Sequence, residues 1–154
     1  MFWRNKKVSG RESVAEKIVS VGSKYIADLE RMAAIVDTNK LLGLILTTQL
    51  RDIIITGRQI VEIASKDVEA AAGLRTFVDY YFPMAIKLVN AYTDSCSRVG
   101  RCDDSDDIVE KVRSVMDTIV DAFHKQLEAM YAARKLDIKT DIEVLKQVLK
   151  SEGL

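Results

Sequence analysis

One histidine, one proline and two cysteines occur in 154 residues, and each shortage closes a class of function. With His124 as the single imidazole, any Ser-His-Asp or Cys-His arrangement would depend on one side chain in a helical stretch with no nucleophile elbow beside it. Neither G-x-G-x-x-G nor G-x-x-x-x-G-K-[ST] is present, so the phosphate cradles those patterns build are missing. Cys96 and Cys102 lack zinc-ligand spacing and read as reduced thiols, as two cysteines in a chain of cytosolic character usually are. An excess of either charge is also missing, at 23 basic against 23 acidic side chains. That removes the broad electrostatic argument for nucleic acid, and aromatics are not interleaved with lysines as a single-strand binder requires. The composition therefore implies no nucleic-acid partner, cofactor or metal, and no residue is assigned as catalytic.

Long apolar runs are lacking too. A bilayer span needs about 20 apolar residues, whereas the longest candidate, 41–50, is bounded by Lys40 and Arg51 and contains Thr47, Thr48 and Gln49. The opening residues are basic and have no apolar core of the signal-peptide kind. A cytoplasmic location is expected, with peripheral membrane contact through residues 1–7 (Phe2 and Trp3 among lysines) as an addition. Residues 1–9 read as a basic flexible tail and 10–154 as a single helical bundle domain. Seven glycines and one proline are few for a protein of many tight turns, so the class is all-α.

Apolar periodicity supplies the elements. Ser9 with Glu12, or Ser13 with Glu16, has capping-box spacing for a first helix. Its stripe is Val14, Ile18, Val21, Tyr25, Leu29, Met32 and Val36. A turn at 37–39 leads to a second helix, 40–65, striped by Leu42, Leu46, Leu50, Ile53, Gly57, Val61 and Ala64. Gly57 costs about 1 kcal/mol against alanine there, which points to a close helix approach or a local break. A short link at 65–73 includes one helical turn, 70–72. The loop 99–107, with four aspartates, lacks the glycine and glutamate of a calcium loop, and its acidic end reads as a helix start. A helix over 105–134 follows with Ile108, Val112, Val115, Ile119, Phe123, Leu127 and Met130 inward. Residues 136–140 read as a link, and Thr140 with Glu143 as the cap of a last short helix. The expectation is an antiparallel bundle of four to five helices.

The third helix is the central one. Residues 74–92 read LRTFVDYYFPMAIKLVNAY. Phe77, Tyr81, Ala85, Leu88 and Tyr92 share one face, and Val78, Phe82, Ile86 and Val89 make a second beside it. Pro83 cannot donate to the Asp79 carbonyl and crowds it, so the helix is kinked or restarted at Pro83. The least apolar strip carries Asp79, Tyr80, Lys87 and Asn90. These four form the candidate partner-binding surface; for Tyr80 the alternative is core packing with the hydroxyl at the edge. On the following helix Asp117, Asp121, His124 and Glu128 line up, an alternative acid/base or metal face or simply a solvated one.

The pattern Phe77-x-x-Tyr80-Tyr81-Phe82-Pro83-x-x-x-Lys87-Leu88-x-x-x-Tyr92 resembles the 5-bromo-4-chloroindolyl phosphate hydrolysis (XpaC-like) family of bacteria. The tail is similar as well, in Phe123-His124-Lys125-Gln126-Leu127, Leu136-Asp137-Ile138 and Asp141-Ile142-Glu143-Val144-Leu145. The family commonly has two threonines after the proline, where this chain has Met84 and Ala85, so no hydroxyl role carries over. The resemblance implies a protein partner of the TelA toxic-anion (tellurite) resistance kind. Its name also implies the competing reading, metal-assisted hydrolysis of the indolyl phosphate. The preferred expectation is a non-enzymatic protein-interaction module.

Overall fold

A computed structural model describes residues 10–38, 44–99 and 107–154. They form α1 (Gly10–Thr38), α2 (Leu44–Lys66), a short α3 (Val68–Ala72), a π-helical turn (Phe77–Tyr81), α4 (Phe82–Val99) and α5 (Asp107–Ser151). No strand occurs among the described residues, and the class is all-α. Residues 1–9, 39–43 (with the expected start of the second helix at 40 and Leu42 of its stripe) and 100–106 lie outside the described residues. Because α1 is already helical at Gly10, Ser13 lies inside it and is not its cap.

Local chemistry explains the short elements. Asp67 caps α3, its carboxylate accepting from the amides of Glu69 and Ala70 at 3.0 and 3.2 Å. In the π turn the Phe82 amide donates to the Phe77 carbonyl, five residues back, and Pro83 follows as the second residue of α4. Pro83, which has no amide proton to donate, thus falls where the π turn passes into α4 within one unbroken helical run from 75 to 99.

The core is aromatic at its centre. Phe82 and Phe123 meet edge to face at 5.1 Å, Phe77 meets Phe123 at 4.9 Å, and Tyr25 stacks on Phe82 at 5.8 Å. Gly57 lies beneath these rings: a Cβ on it would come 2.7 Å from Ile26 Cδ1, 3.3 Å from Phe82 and 3.4 Å from Phe123. Close approach, not a break, is thus the reason for the glycine, and α2 runs through it uninterrupted. Contacts also fix the chain senses. Gly22 faces Val61 while Gly57 faces Ile26, so α1 and α2 run oppositely. Gln49 meets Asp117 and Gly57 meets Phe123, so α2 and α5 run the same way. Tyr92 meets Arg113 and Phe82 meets Phe123, which opposes α4 to α5.

Three expectations are corrected. The link at 136–140 and the separate last helix do not exist, because α5 is continuous from Asp107 to Ser151. Nothing in that interval is glycine or proline, and Thr140 donates its hydroxyl to the Leu136 carbonyl at 3.0 Å, satisfying itself inside a helix. The inward face is also shifted: Ala15 and Gly22 are buried where Val14 and Val21 were expected, Ile26 is buried beside a half-buried Tyr25, and Val109 and Met116 replace Ile108 and Val115. A broad apolar arc lets neighbouring helices choose which edge to cover. Finally, Cys96 is buried and disulfide-bonded and is not a reduced thiol; the other cysteine, Cys102, lies outside the described residues.

Candidate functional site

The four residues of the proposed strip are all exposed. Tyr80 is 56% accessible, which removes the core-packing alternative for its ring. It leans edge-on against Tyr81 at 5.7 Å, and Asp79 pairs with Arg75 at 3.7 Å along the same helix. Lys87 and Asn90 share one side of α4 by their spacing. No hydrogen bond joins the four to one another among the described residues, so they make an open polar surface carrying one aromatic ring. The π turn puts Phe77 and Val78 into the core while Asp79 and Tyr80 face outward.

Asp117, Asp121, His124 and Glu128 are likewise exposed along α5. Their side chains spread along a helix and do not converge. Among the described residues no three of His, Cys, Asp and Glu are grouped to hold a metal ion. Asp117 has a structural use: its carboxylate accepts from Gln49 Nε2 at 2.7 Å, and the same amide nitrogen donates to the Arg113 carbonyl at 3.0 Å. Gln49 is buried, and Arg113 donates to the hydroxyl of fully buried Tyr92 at 3.2 Å. These bonds tie α2, α4 and α5 together at one end of the core.

No family model, curated protein or solved structure matches the chain. The XpaC-like resemblance therefore rests on the residues that carry it.

The feature that periodicity misread is the far half of α5, where Ile142, Leu145, Val148 and Leu149 read as the face of a separate short helix. Its last buried side chain is Met130, and every residue from 131 to 154 is exposed. The helix nevertheless continues to Ser151, an overhang of roughly 30 Å at 1.5 Å per residue. It ends in a well-formed stop. Gly153 has φ 77°, its amide donates to the Lys150 carbonyl at 3.2 Å, and the Leu154 amide donates to the Leu149 carbonyl at 2.9 Å. Along the overhang Ile138, Ile142, Leu145 and Leu149 recur at four, three and four residues, each between 40% and 56% accessible. The signal was in the sequence: an unbroken run without glycine or proline from 107 to 151, closed by Gly153. Where α5 leaves the core, a groove of about 470 Å³ is lined by Ile63, Lys66, Asp67, Glu69 and Arg134 among others. Its charges are of mixed sign and suit no particular small ligand.

Proposed function

We propose that this chain is a non-enzymatic helical protein-interaction module, XpaC-like in its signature stretch, that docks through exposed faces of α4 and α5. The observation that carries the reading is the overhang of α5. A helical segment that buries nothing of its own leaves a row of large aliphatic side chains about half in water, each of which gains roughly 1 kcal/mol on burial of the remainder. The strip of Asp79, Tyr80, Lys87 and Asn90 is a second face, supported by the exposure of the Tyr80 ring, since exposed tyrosines are favoured contact residues. Behind both faces stands a scaffold read as an antiparallel bundle in chain order, in which each successive long helix reverses and the third is kinked or restarted at Pro83. The partner class implied by the resemblance is a toxic-anion resistance protein of the TelA kind.

Capture experiments test this directly. Immobilised chain should bind its partner, and either Ile142→Lys/Leu145→Lys or Tyr80→Ala/Lys87→Ala should abolish binding while circular dichroism is unchanged. If both double variants retain every partner with the fold intact, the interaction reading is lost. Turnover of the indolyl phosphate by clean protein, sensitive to Asp121→Asn, would replace it with the hydrolase.

A further inference from the structure

Between α1 and α2 lies a groove of about 440 Å³, within the size range of small-molecule sites. Leu50 and Ile54, both core residues, floor it, and half-exposed Ile55 stands at its rim. On the α1 side two alanines in succession, Ala33 and Ala34, leave the hollow that longer side chains would fill.

Three charged groups line the same groove, and only two of them answer each other. Arg58 donates through both Nε and Nη2 to one Glu30 oxygen, at 2.8 and 2.6 Å, a crossing from α2 to α1 that neutralises the pair. Arg51 stands seven residues earlier, two turns back on the same side of α2. It makes no hydrogen bond or ion pair among the described residues. The groove therefore carries one uncompensated positive charge beside an apolar floor.

We infer that it binds an amphipathic anion: a carboxylate or phosphate head held by the Arg51 guanidinium, with an unbranched apolar chain lying along Ala33, Ala34, Ile54 and Ile55 towards Arg58. The site shares no residue with the docking faces of α4 and α5, so the two readings stand or fall separately.

The lining selects against other ligands. A cation finds the one carboxylate there already held by Arg58. A small hydrated anion would use Arg51 alone and leave the hollow unfilled, and a single exposed ion pair contributes little. An apolar chain without a head gains the burial but nothing from the guanidinium. Head and chain together use both features, and the charge fixes which end of the groove the head takes. The two arginines are about 10 Å apart along the helix axis, so a chain of medium length spans the apolar stretch between them.

Nuclear magnetic resonance titration of the full chain with decanoate, decyl phosphate and decylammonium, each below its own aggregation threshold, provides the test. The two anions should shift the amides of Ala33, Ala34, Ile54 and Ile55 saturably, with dissociation constants on the order of 0.1–1 mM, and the tighter one identifies the preferred head. Decylammonium should bind there at least about tenfold more weakly. Arg51→Gln should weaken both anions about tenfold and leave decylammonium unchanged, whereas Arg51→Lys, which keeps the charge, should lose only about threefold. Ala34→Phe, at the exposed edge of the groove, should abolish saturation by filling it while circular dichroism stays that of the parent. Any of these probes can also touch the exposed aliphatic side chains of α5. Repeated in Ile142→Lys/Leu145→Lys, the titrations should therefore keep the groove shifts. No saturable shift at the groove up to about 5 mM overturns the inference. Equal affinities for decanoate and decylammonium overturn it as well, as do an Arg51→Gln variant that binds like the parent and shifts confined to residues 131–154.

Discussion

Two halves of one helix, similar in apolar content, have opposite surroundings. Between Asp107 and Met130, α5 buries Val109, Val112, Met116, Ile119, Phe123, Leu127 and Met130 against the other helices; from 131 onward it buries nothing. Both halves show three-and-four spacing, so periodicity alone cannot tell a stripe that meets the chain's own core from one that meets another molecule. What differs is the supply of facing helices. By Lys66 and Arg134 the bundle has run out of α2, and α5 continues without it.

The comparison can be broken most forcefully at Phe123. Phe123→Ala should cost about 4 kcal/mol in denaturant unfolding, because the ring is fully buried and contacts Phe77 and Phe82. Next comes Gly57→Val, expected to destabilise by about 2–3 kcal/mol as the added carbons press on Ile26 and the two rings. In dilute protein Leu145→Ala and Leu149→Ala should stay within about 0.5 kcal/mol of the parent. A loss as large as that at Phe123 would mean that the overhang packs on its own chain. Hydrogen exchange sharpens the same contrast without substitution: amides of 135–150 should exchange much faster than those of 112–127. The smallest effect belongs to Lys111. Its pKa is raised by hydrogen bonding to, and the charge of, Asp107. A cation with a raised folded pKa contributes stability below the ordinary lysine value of 10.5 that is lost as pH climbs past the raised one. That contribution is present at pH 7 but small, because both side chains are solvent-exposed; Lys111→Ala should therefore lower stability only slightly at pH 7, and the loss should shrink further in high salt.

Much of the fold could be read from residue order. The all-α class followed from the scarcity of glycine and proline, and the stripe of α2 from Leu46 through Ala64 lies inward apart from a half-buried Val61. The choice at Gly57 between close approach and a break needed coordinates, because both cost the helix the same at the level of propensity. At 136–140 the sequence reading failed for a physical reason. Leu-Asp-Ile-Lys-Thr contains polar residues in a link-like order, yet none of them breaks a helix, and the weak cap signal of Thr140 lost to the propagation of an established one. For the candidate site, Asp79, Lys87 and Asn90 are exposed on the least apolar strip as read, whereas core packing was the stronger reading for Tyr80 and its ring is exposed instead. The overhang was not anticipated, since a hydrophobic face reads the same whether its cover comes from within the chain or from outside it.

Continuity through Met130 has a mechanical side. Phe123, wedged between Phe77 and Phe82, and Leu149 near the tip belong to one rod with no glycine or proline between them. Such a rod has no built-in joint, so a twist or tilt imposed where another molecule grips the tip is delivered to the ring cluster above Gly57. The clearances there are too tight to absorb it, which makes the tip a handle on the core as well as a place to bind.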